Sequence, residues 1–387
     1  MTNIKQLTEK DFDQIFALSQ YAFQYELSQE ELEEKKEEAK RHKIWGWMEG
    51  KEMAAKLHII PLAAYINGKP LSMGGISSVA TWPEFRRKGM VKDLLRHALY
   101  DMKENGQLLS LLHPFAFPFY RQYGWEHAFT QKHYSIPINK LKRDWGASGY
   151  VRRSATEDIS LLHQLYTSYA KSYNGMLTRD KSWWEQRVLE GQAHIAVAYN
   201  QQHEAEGYII FSVKNNVFAV KEMVYNTLNG RKLLLQFIGN HDSMVENAKM
   251  IVPEDDQLAL LVDEPRFEQS LIPYFMARIV DVPAFLAAYP FQTDGIMTLH
   301  VEDEFFPENN ESYQLQVENG RAKVSAAQGV SSSQTVHCSI QVLSGMLLGF
   351  RRPIDYYQLG QLEADQETIQ QLEKIIPQRN TFFADFF

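Results

Sequence analysis

A stretch early in the sequence has the residue types to bind a phosphate. Arg86, Arg87 and Lys88 stand directly before Gly89, and the apolar residues from Met90 onward recur at helical spacing. The first N–H groups of a helix have no partner within the helix and lie at the positive end of its dipole. A glycine lets the backbone approach a ligand closely, and the cations add charge-assisted hydrogen bonds. We therefore predict a phosphate or pyrophosphate site, with an ordinary solvated basic loop as the alternative interpretation.

Two predicted strands must position this loop. Residues 76–81 form a short apolar run that ends at Trp82 and Pro83, since proline cannot continue a strand ladder. Residues 108–112 form a continuous apolar run, which predicts a buried strand beside the first one. Ligand chemistry is then expected at the C-terminal ends of these strands.

The residues before the loop predict an antiparallel meander and two helices. Strands are expected at 4–7, 44–48 and 53–60, and Asn67 with Gly68 is a strong hairpin-turn signal. Thr8 is expected to cap a first helix. The charge-dense segment 26–41 predicts a solvated helix, or alternatively a mobile helix over a substrate cleft that contains Tyr21, Phe23 and Tyr25.

These motifs resemble the Gcn5-related N-acetyltransferase (GNAT) superfamily. Residues 86–91, RRKGMV, match the first four positions of its acetyl-coenzyme A loop, Q/R-x-x-G-x-G/A, with Val91 where the family usually has Gly or Ala. Residues 120–125, YRQYGW, are similar to the family's short helix with a tyrosine, followed by an aromatic-Gly-aromatic turn. Both motifs occur in the family's order, which is more specific than either alone.

The resemblance implies a set of cofactor-binding and catalytic residues. Acetyl-coenzyme A would be bound by Val79, Ala80, Thr81, Arg86, Arg87, Lys88, Gly89, Met90, Val91, Lys92, Phe115 and Ala116. Acetyl transfer needs a neutral amine, a polarised carbonyl and a protonated thiolate. Tyr120 is expected to protonate the thiolate, although an aromatic packing role is the alternative. His113 is a further titratable candidate, or a hydrogen-bonded structural histidine.

A second domain is predicted from Tyr150, where residues 151–158 and the following helix partly repeat the start of the chain. Strands are expected at 195–199, 207–213 and 217–224, followed by a helix that contains Leu233 and Leu234. The segment 225–232 has Gly230 but lacks the cationic loop pattern. This copy is therefore predicted to be structural rather than catalytic.

Residues 276–289, MARIVDVPAFLAAY, resemble a segment of the enhanced intracellular survival (Eis) type of acetyltransferase. We interpret them as a domain hinge in which Pro283 restarts a helix. The resemblance implies an α/β (α+β) fold: two GNAT-like domains with central mixed sheets, and a C-terminal sterol carrier protein-like α/β domain. The predicted domains are 1–149 (catalytic), 150–285 (without the cofactor motif) and 286–387. In the third, strands are expected at 296–301 and 313–317, and a helix at 343–350.

The tail, residues 381–387, contains four phenylalanines. Termini are usually frayed and polar, so we expect this one to be buried. It could simply pack against the third domain. The resemblance implies instead that the carboxylate of Phe387 reaches the active site as general base. Asp385 would add negative charge for a cationic substrate, or lie on the surface.

Composition limits the function further. Lys+Arg number 40 and Asp+Glu 48, a net charge of −8 that argues against a nucleic-acid binder. Cys338 is the only cysteine, so no thiolate metal cluster and no metal is expected. A run of about 18 apolar residues and a signal peptide are both missing, so we expect a cytoplasmic protein without membrane partners.

The sequence thus predicts an acetyl-coenzyme A-dependent N-acetyltransferase that acts on a primary amine by direct attack in a ternary complex. Aminoglycosides, polyamines and lysine side chains all fit as acceptors. The resemblance implies a homo-oligomer, a hexamer. The alternative is a non-enzymatic protein that senses acyl-coenzyme A or binds a lipid.

Overall fold

The computed structural model describes residues 3–154, 159–191, 194–327 and 335–387. They form two compact units. The first unit comprises Met1–Ala128, Phe275–Gln378 and Phe386–Phe387, and the second comprises Phe129–Tyr274 and Arg379–Asp385. The tail is therefore divided between them. The part of the predicted repeat at 155–158 lies outside the described residues.

In chain order, the strands of the described residues are β1 (Ile4–Leu7), β2 (Lys43–Glu49), β3 (Glu52–Ile66), β4 (Lys69–Thr81), β5 (Leu109–Leu112), β6 (Glu126–His127), β7 (Thr130–Pro137), β8 (Tyr150–Ser154), β9 (His194–Tyr199), β10 (Ala205–Lys214), β11 (Val217–Tyr225), β12 (Asn247–Pro253), β13 (Glu268–Pro273), β14 (Met276–Ile279), β15 (Gly295–Glu302), β16 (Glu311–Glu318), β17 (Arg321–Ala326), β18 (Thr335–Ser339) and β19 (Leu362–Glu363). The α-helices are α1 (Phe12–Phe23), α2 (Gln29–Ala39), α3 (Met90–Glu104), α4 (Phe117–Arg121), α5 (Ile159–Ala170), α6 (Lys181–Trp183), α7 (Leu228–Gly239), α8 (Val282–Ala288), α9 (Ile340–Leu348), α10 (Pro353–Gln358) and α11 (Gln366–Ile375).

The first unit contains a seven-stranded sheet in the order β1-β2-β3-β4-β5-β14-β6. Strands β4 and β5 run parallel, and the neighbouring pairs β3/β4 and β5/β14 run antiparallel. The predicted hairpin turn is confirmed, because Asn67 and Gly68 join β3 and β4 with φ angles of 48° and 79°, as a type I′ turn requires. Both strands are longer than predicted.

Two helices cover this sheet. Helix α3 packs Leu94, Leu95 and Leu99 against Leu57 and Ile59 of β3 in one core cluster. Helix α1 packs Ile15 and Leu18 in a separate cluster with Ile44 of β2. Successive side chains of a strand point to opposite faces. Lys56 and His58, which alternate with Leu57 and Ile59, therefore point away from α3.

Residues 276–279 are a strand rather than the predicted hinge. Strand β14 is completely buried and pairs with β5 and β6 in the interior of the first sheet. Its partners lie far back in the chain, so local sequence could not reveal the pairing. The predicted helix restart is confirmed, since α8 begins directly after Asp281 and has Pro283 in its first turn. The side chain of Asp281 caps this helix by accepting a hydrogen bond from the N–H of Ala284.

A second, five-stranded sheet in the first unit has the order β17-β16-β15-β18-β19, with β15 and β18 parallel. The predicted strands at 296–301 and 313–317 are confirmed as β15 and β16, and the predicted helix at 343–350 as α9. Helix α9 is almost wholly buried.

The second unit contains a seven-stranded sheet in the order β13-β7-β12-β11-β10-β9-β8. The predicted strands β9 to β11 and helix α7 are confirmed. Strands β11 and β12 run parallel, but they pair only from Val217 to Ala219. Helix α7 packs Leu233, Leu234 and Ile238 onto the sheet. Among the described helices, none is long and apolar enough to cross a membrane.

Candidate active site

Strands β4 and β5 separate in the middle of the first sheet. They pair from Met73 to Ile76 on β4, and β5 ends at Leu112, the partner of Ile76. Strand β4 continues to Thr81 without a β5 partner. A cleft therefore opens along 77–81, at the C-terminal ends of two parallel strands, where open α/β sheets bind ligands.

A β-bulge lies at the start of this cleft. The register of β3 against β4 shifts between the pairs His58–Ser77 and Lys56–Ala80, so 78 and 79 oppose the single residue Leu57. Ser78 has a φ of 52°, in the left-handed region. A bulge of this kind re-aims the following backbone groups. It changes the direction of the backbone groups that follow it, in the predicted cofactor-binding residues Val79, Ala80 and Thr81.

The cationic loop leads from β4 to the N-terminus of α3. Arg86, Arg87, Lys88 and Gly89 are exposed. Arg87 and Gly89 have φ angles of 65° and 82°, and an added Cβ at Gly89 would meet no atom within 4 Å. Alternating left-handed residues turn backbone N–H groups toward one concave surface that suits anions. The 15-residue helix α3 adds its first N–H groups, and Gly89 at the N-cap offers no side-chain cap.

The predicted cofactor residues at the end of β4 and the start of α3 differ in burial. Val79 and Val91 are half-buried, Met90 is buried and Lys92 is exposed. The hydroxyl oxygen of Thr81 is buried and has no hydrogen-bond partner among the described residues. A buried hydroxyl without a hydrogen bond costs free energy, unless a ligand forms that bond.

Tyr120 lies on the other side of the cleft, on α4, which follows β5. Its side chain is buried and packs against the rings of Phe115 and Phe119 with centroids 5.6 and 5.1 Å away. Burial raises the pKa of Tyr120 well above its usual value of 10, so the hydroxyl remains protonated at neutral pH. Phe115 is 74% exposed, and Ala116 is the N-cap residue of α4.

The turn after Tyr120 is held by a buried ion pair. Arg278 of β14 donates hydrogen bonds to the carbonyl oxygen of Tyr123 and to the carboxylate of Asp303. Gly124 has a φ of 89°, and an added Cβ would lie 2.2 Å from the Arg278 guanidinium. Only glycine fits this position. Asp303, from the C-terminal part of the chain, therefore helps to fix the helix that carries Tyr120.

The last two residues of the tail belong to this unit. Phe387 is buried and packs edge-on against Phe275, with ring centroids 5.1 Å apart. A Cβ on Gly75 would lie 2.7 Å from its ring, so Phe387 lies on β4 just before the cleft opens. Phe386 is half-exposed and contacts His113 at 5.1 Å between centroids. Burial lowers the pKa of His113.

Comparison with known families agrees with this geometry. Residues 3–128 match an acetyltransferase (GNAT) domain family, and residues 175–279 match a second one. The chain belongs to the GNAT superfamily. Residues 282–384 match the sterol carrier protein domain. The predicted fold class, with two GNAT-like domains and a C-terminal sterol carrier protein-like domain, is therefore confirmed.

Solved structures extend the GNAT likeness to the whole chain. A probable N-acyltransferase from Enterococcus faecalis is 26% identical, with a TM-score of 0.93 and coverage of 99% of each chain. Eis1 from Mycobacterium abscessus is 18% identical, with a TM-score of 0.83 and coverage of 100% of each chain. The predicted likeness to the Eis type is therefore confirmed at the level of the fold.

A curated relative is an uncharacterized N-acetyltransferase from Streptomyces griseus, which is 21% identical over 266 residues. The match covers 62% of this GNAT chain and 64% of the relative. The chain thus spans less than two thirds of the length of that protein.

Sequence reasoning missed three polar residues near the cleft: Lys56, His58 and Ser78. Lys56 and His58 stand in the apolar run MAAKLHII. A lysine and a histidine two residues apart, inside a strand that is otherwise buried on both faces, must form a buried polar pair. The spacing of Lys56 and His58 was therefore the sequence signal for a buried polar pair.

Proposed function

We propose that the protein is an acetyl-coenzyme A-dependent N-acetyltransferase that acts on a primary amine. The observation that carries the proposal is the exposed cationic loop, with its left-handed Arg87 and Gly89, at the N-terminus of α3 beside the splayed end of β4. This combination offers several N–H donors and three cations to a pyrophosphate.

Different residues of the cleft would bind different parts of acetyl-coenzyme A. Residues 86–92 would bind the pyrophosphate, and the unpaired end of β4, Val79 to Thr81, would hydrogen-bond the extended arm. Phe115 and Ala116 would cover it from the β5 side. A largely exposed phenylalanine such as Phe115 fits a ligand contact. The bound molecule supplies an acetyl group that is activated as a thioester.

Tyr120 is proposed as the general acid. The amine nitrogen forms a bond to the acetyl carbon, the carbon–sulfur bond breaks, and the sulfur takes the hydroxyl proton of Tyr120. Because the buried hydroxyl stays protonated, it enters the reaction in the required state. The N–H groups after the Ser78 bulge would polarise the carbonyl.

Phe387 is proposed as the second catalytic residue, with its terminal carboxylate as base for the amine. Its ring packs against Phe275 and lies over Gly75, which supports a fixed position at the start of the cleft. Direct attack in a ternary complex needs no covalent enzyme intermediate.

The finer assignments are also proposals. An aminoglycoside, a polyamine or a lysine side chain fits as the acceptor. We propose functional domains at 1–149, 150–285 and 286–387, a cytoplasmic location and a homohexamer. No group of three metal-ligating side chains is present among the described residues, and the proposed chemistry requires none.

The test is thiol release from acetyl-coenzyme A across a panel of aminoglycosides, polyamines and lysine peptides. We expect amine-dependent release, and a kcat about 100-fold lower for Tyr120→Phe. Tyr123→Phe is the matched control, because it removes a hydroxyl from the same turn. Binding of acetyl-coenzyme A without release for any amine would contradict the enzyme and favour a sensing role.

A further inference from the structure

A buried polar cluster lies beneath the bulge of β4. Lys56 is fully buried, and its Nζ donates hydrogen bonds to the carbonyl oxygen (2.9 Å) and the hydroxyl oxygen (2.6 Å) of Ser78. The same Nζ lies 3.3 Å from Nε2 of His58. The left-handed backbone of Ser78 is thus held by a lysine of the neighbouring strand.

The cluster continues in both directions. His58 Nδ1 lies 3.2 Å from Nδ1 of His42, which is only half-buried. On the other side, the hydroxyl of Ser78 lies 3.3 Å from that of Ser19, which donates to the carbonyl oxygen of Ile15. A continuous row of polar atoms therefore leads from the bulge through β3 toward solvent.

Lys56 has no ion pair among the described residues, and the groups that face its Nζ are Ser78 and His58. Burial lowers the pKa of Lys56 to about 7. Burial, followed by the charges of Lys56 and His42, lowers the pKa of His58 well below 6.5. Lysine can therefore exist in both protonation states near neutral pH.

Both states satisfy the surrounding atoms. The ammonium of Lys56 has three protons and three acceptors: the carbonyl and hydroxyl oxygens of Ser78, and Nε2 of His58. The neutral amine can donate to the carbonyl and to His58, and accept the hydroxyl proton of Ser78. The cluster can thus gain or lose a proton without leaving a buried polar atom unpaired.

The cluster and the proposed base share one face of the sheet. Ile60, His58 and Lys56 alternate along β3, and Gly75 pairs directly with Ile60 in the antiparallel register. Directly paired residues point to the same face. Phe387, which lies over Gly75, is therefore on the side of the sheet that carries Lys56 and His58.

We propose that Lys56, His58 and His42 form a relay that carries the net proton of each turnover from the cleft to solvent. The inference rests on the proposed function. An ammonium acceptor loses two protons when it becomes an amide, and the sulfur takes only one. One proton per turnover must leave the site.

The relay balances without another reactant. The carboxylate of Phe387, the proposed base, takes a proton from the acceptor amine and passes it to the hydroxyl oxygen of Ser78, whose own proton passes to the neutral Lys56. Lys56 then gives a proton to Nε2 of His58, and the Nδ1 proton of His58 passes to Nδ1 of His42. His42 releases its Nε2 proton to water, and each imidazole then regains its starting tautomer by giving one proton to water and taking one from water.

The experiment compares pH profiles of kcat from pH 6 to 9, at saturating acetyl-coenzyme A, for wild type, Lys56→Met and His42→Asn. Lys43→Met is the control, because Lys43 pairs with Asp101 of α3, outside the cluster. We expect kcat of Lys56→Met to fall at least about 10-fold and to lose its rise near pH 7, with the Kd of acetyl-coenzyme A unchanged. We expect His42→Asn to fall about threefold and to recover with added imidazole.

Two results overturn the relay alone. One is an active wild type whose kcat and pH profile are unchanged in both variants. The other is a combined result for the two variants. In Lys56→Met, kcat, cofactor affinity and melting temperature would all fall together, and in His42→Asn imidazole would restore nothing. That combination would reveal a structural role. A wild type without amine-dependent release, but with intact cofactor binding, overturns the proposed function and the relay with it.

Discussion

The two units contain the same strand-loop-helix arrangement, and we propose a ligand site in that of the first unit. In the first unit the loop between β4 and α3 is long, exposed and cationic. In the second, β11 and α7 are separated by Asn226 and Thr227 alone. The side chain of Thr227 accepts a hydrogen bond from the N–H of Gly230 and so caps the helix itself.

In the second unit, the cation at the start of α7 is paired with a carboxylate of the protein, and side chains fill most of the space between β11 and β12. Arg231, at the start of α7, is buried and donates to both carboxylate oxygens of Asp256. Between the separated ends of β11 and β12 a cavity of ≈ 40 Å³ remains, lined in part by Tyr169, Met176 and Phe382. The difference teaches that a splayed pair of strands is not sufficient for a site. The helix N-terminus must also lack a capping side chain, and the cations must lack a carboxylate partner within the protein.

The largest expected effect tests this contrast in the loop. Replacing Arg86, Arg87 and Lys88 together by Gln should raise the Kd of acetyl-coenzyme A about 100-fold, because charge-assisted hydrogen bonds to the pyrophosphate are lost. Lys232→Gln, at the corresponding place on α7, should leave the Kd unchanged. Titration calorimetry measures both. Equal effects would contradict the assignment of the site to the first unit.

The next effect concerns the buried ion pairs of Arg179 in the second unit. Arg179 is buried and bonds Glu222 and Asp385, at 2.6 and 3.1 Å. Arg179→Met would leave both carboxylates unpaired, which should cost about 3–5 kcal/mol in the free energy of unfolding. Lys181→Met, which removes an exposed ion pair with Glu185, should cost less than about 1 kcal/mol. Urea denaturation measures both, and hydrogen exchange should show lost protection of residues 379–385.

A smaller effect is expected where the tail meets β4. Gly75→Ala would place a methyl group 2.7 Å from the ring of Phe387 and displace that residue. We expect kcat to fall about 10-fold if Phe387 is the base. Gly74→Ala is the matched control: its methyl group would meet the flexible side chain of Met102 instead, so stability should fall but kcat should not. A normal kcat for Gly75→Ala would remove the support for a catalytic Phe387.

A last effect, on how stability depends on pH, contrasts Lys56, which has no ion pair among the described residues, with the paired Arg231. The pKa of Lys56 is lowered from 10.5 to about 7 in the folded protein. Between these values the unfolded chain binds more protons than the folded one, so the free energy of unfolding should rise with pH from about 7 toward 10.5. Lys56→Met should flatten this rise, and Arg231→Met should not. A wild-type slope that persists in Lys56→Met would show that other groups cause it.

Much of the first unit could be predicted because its signals are local. Asn67 and Gly68 specify their turn by backbone conformation alone, and the break at Trp82 and Pro83 marks the end of β4. The loop at Gly89 and Tyr120 also stand in motifs of a few residues, and their roles in cofactor binding and catalysis stay predictions.

The parts that could not be predicted depend on distant pairings. Strand β14 is read as a hinge in the sequence because only its pairing with β5 and β6 makes it a strand. The bulge at Ser78 arises from the register with β3, and the Lys56 cluster joins three separate segments. The pattern of apolar residues contains no information on such contacts.

The most direct test of the account is the stoichiometry of acetyl-coenzyme A binding to the intact chain by isothermal titration calorimetry. We predict one molecule per chain, and loss of this binding when Arg86, Arg87 and Lys88 are all replaced by Gln. Two molecules per chain, or one molecule that still binds the triple variant with wild-type affinity, would contradict it.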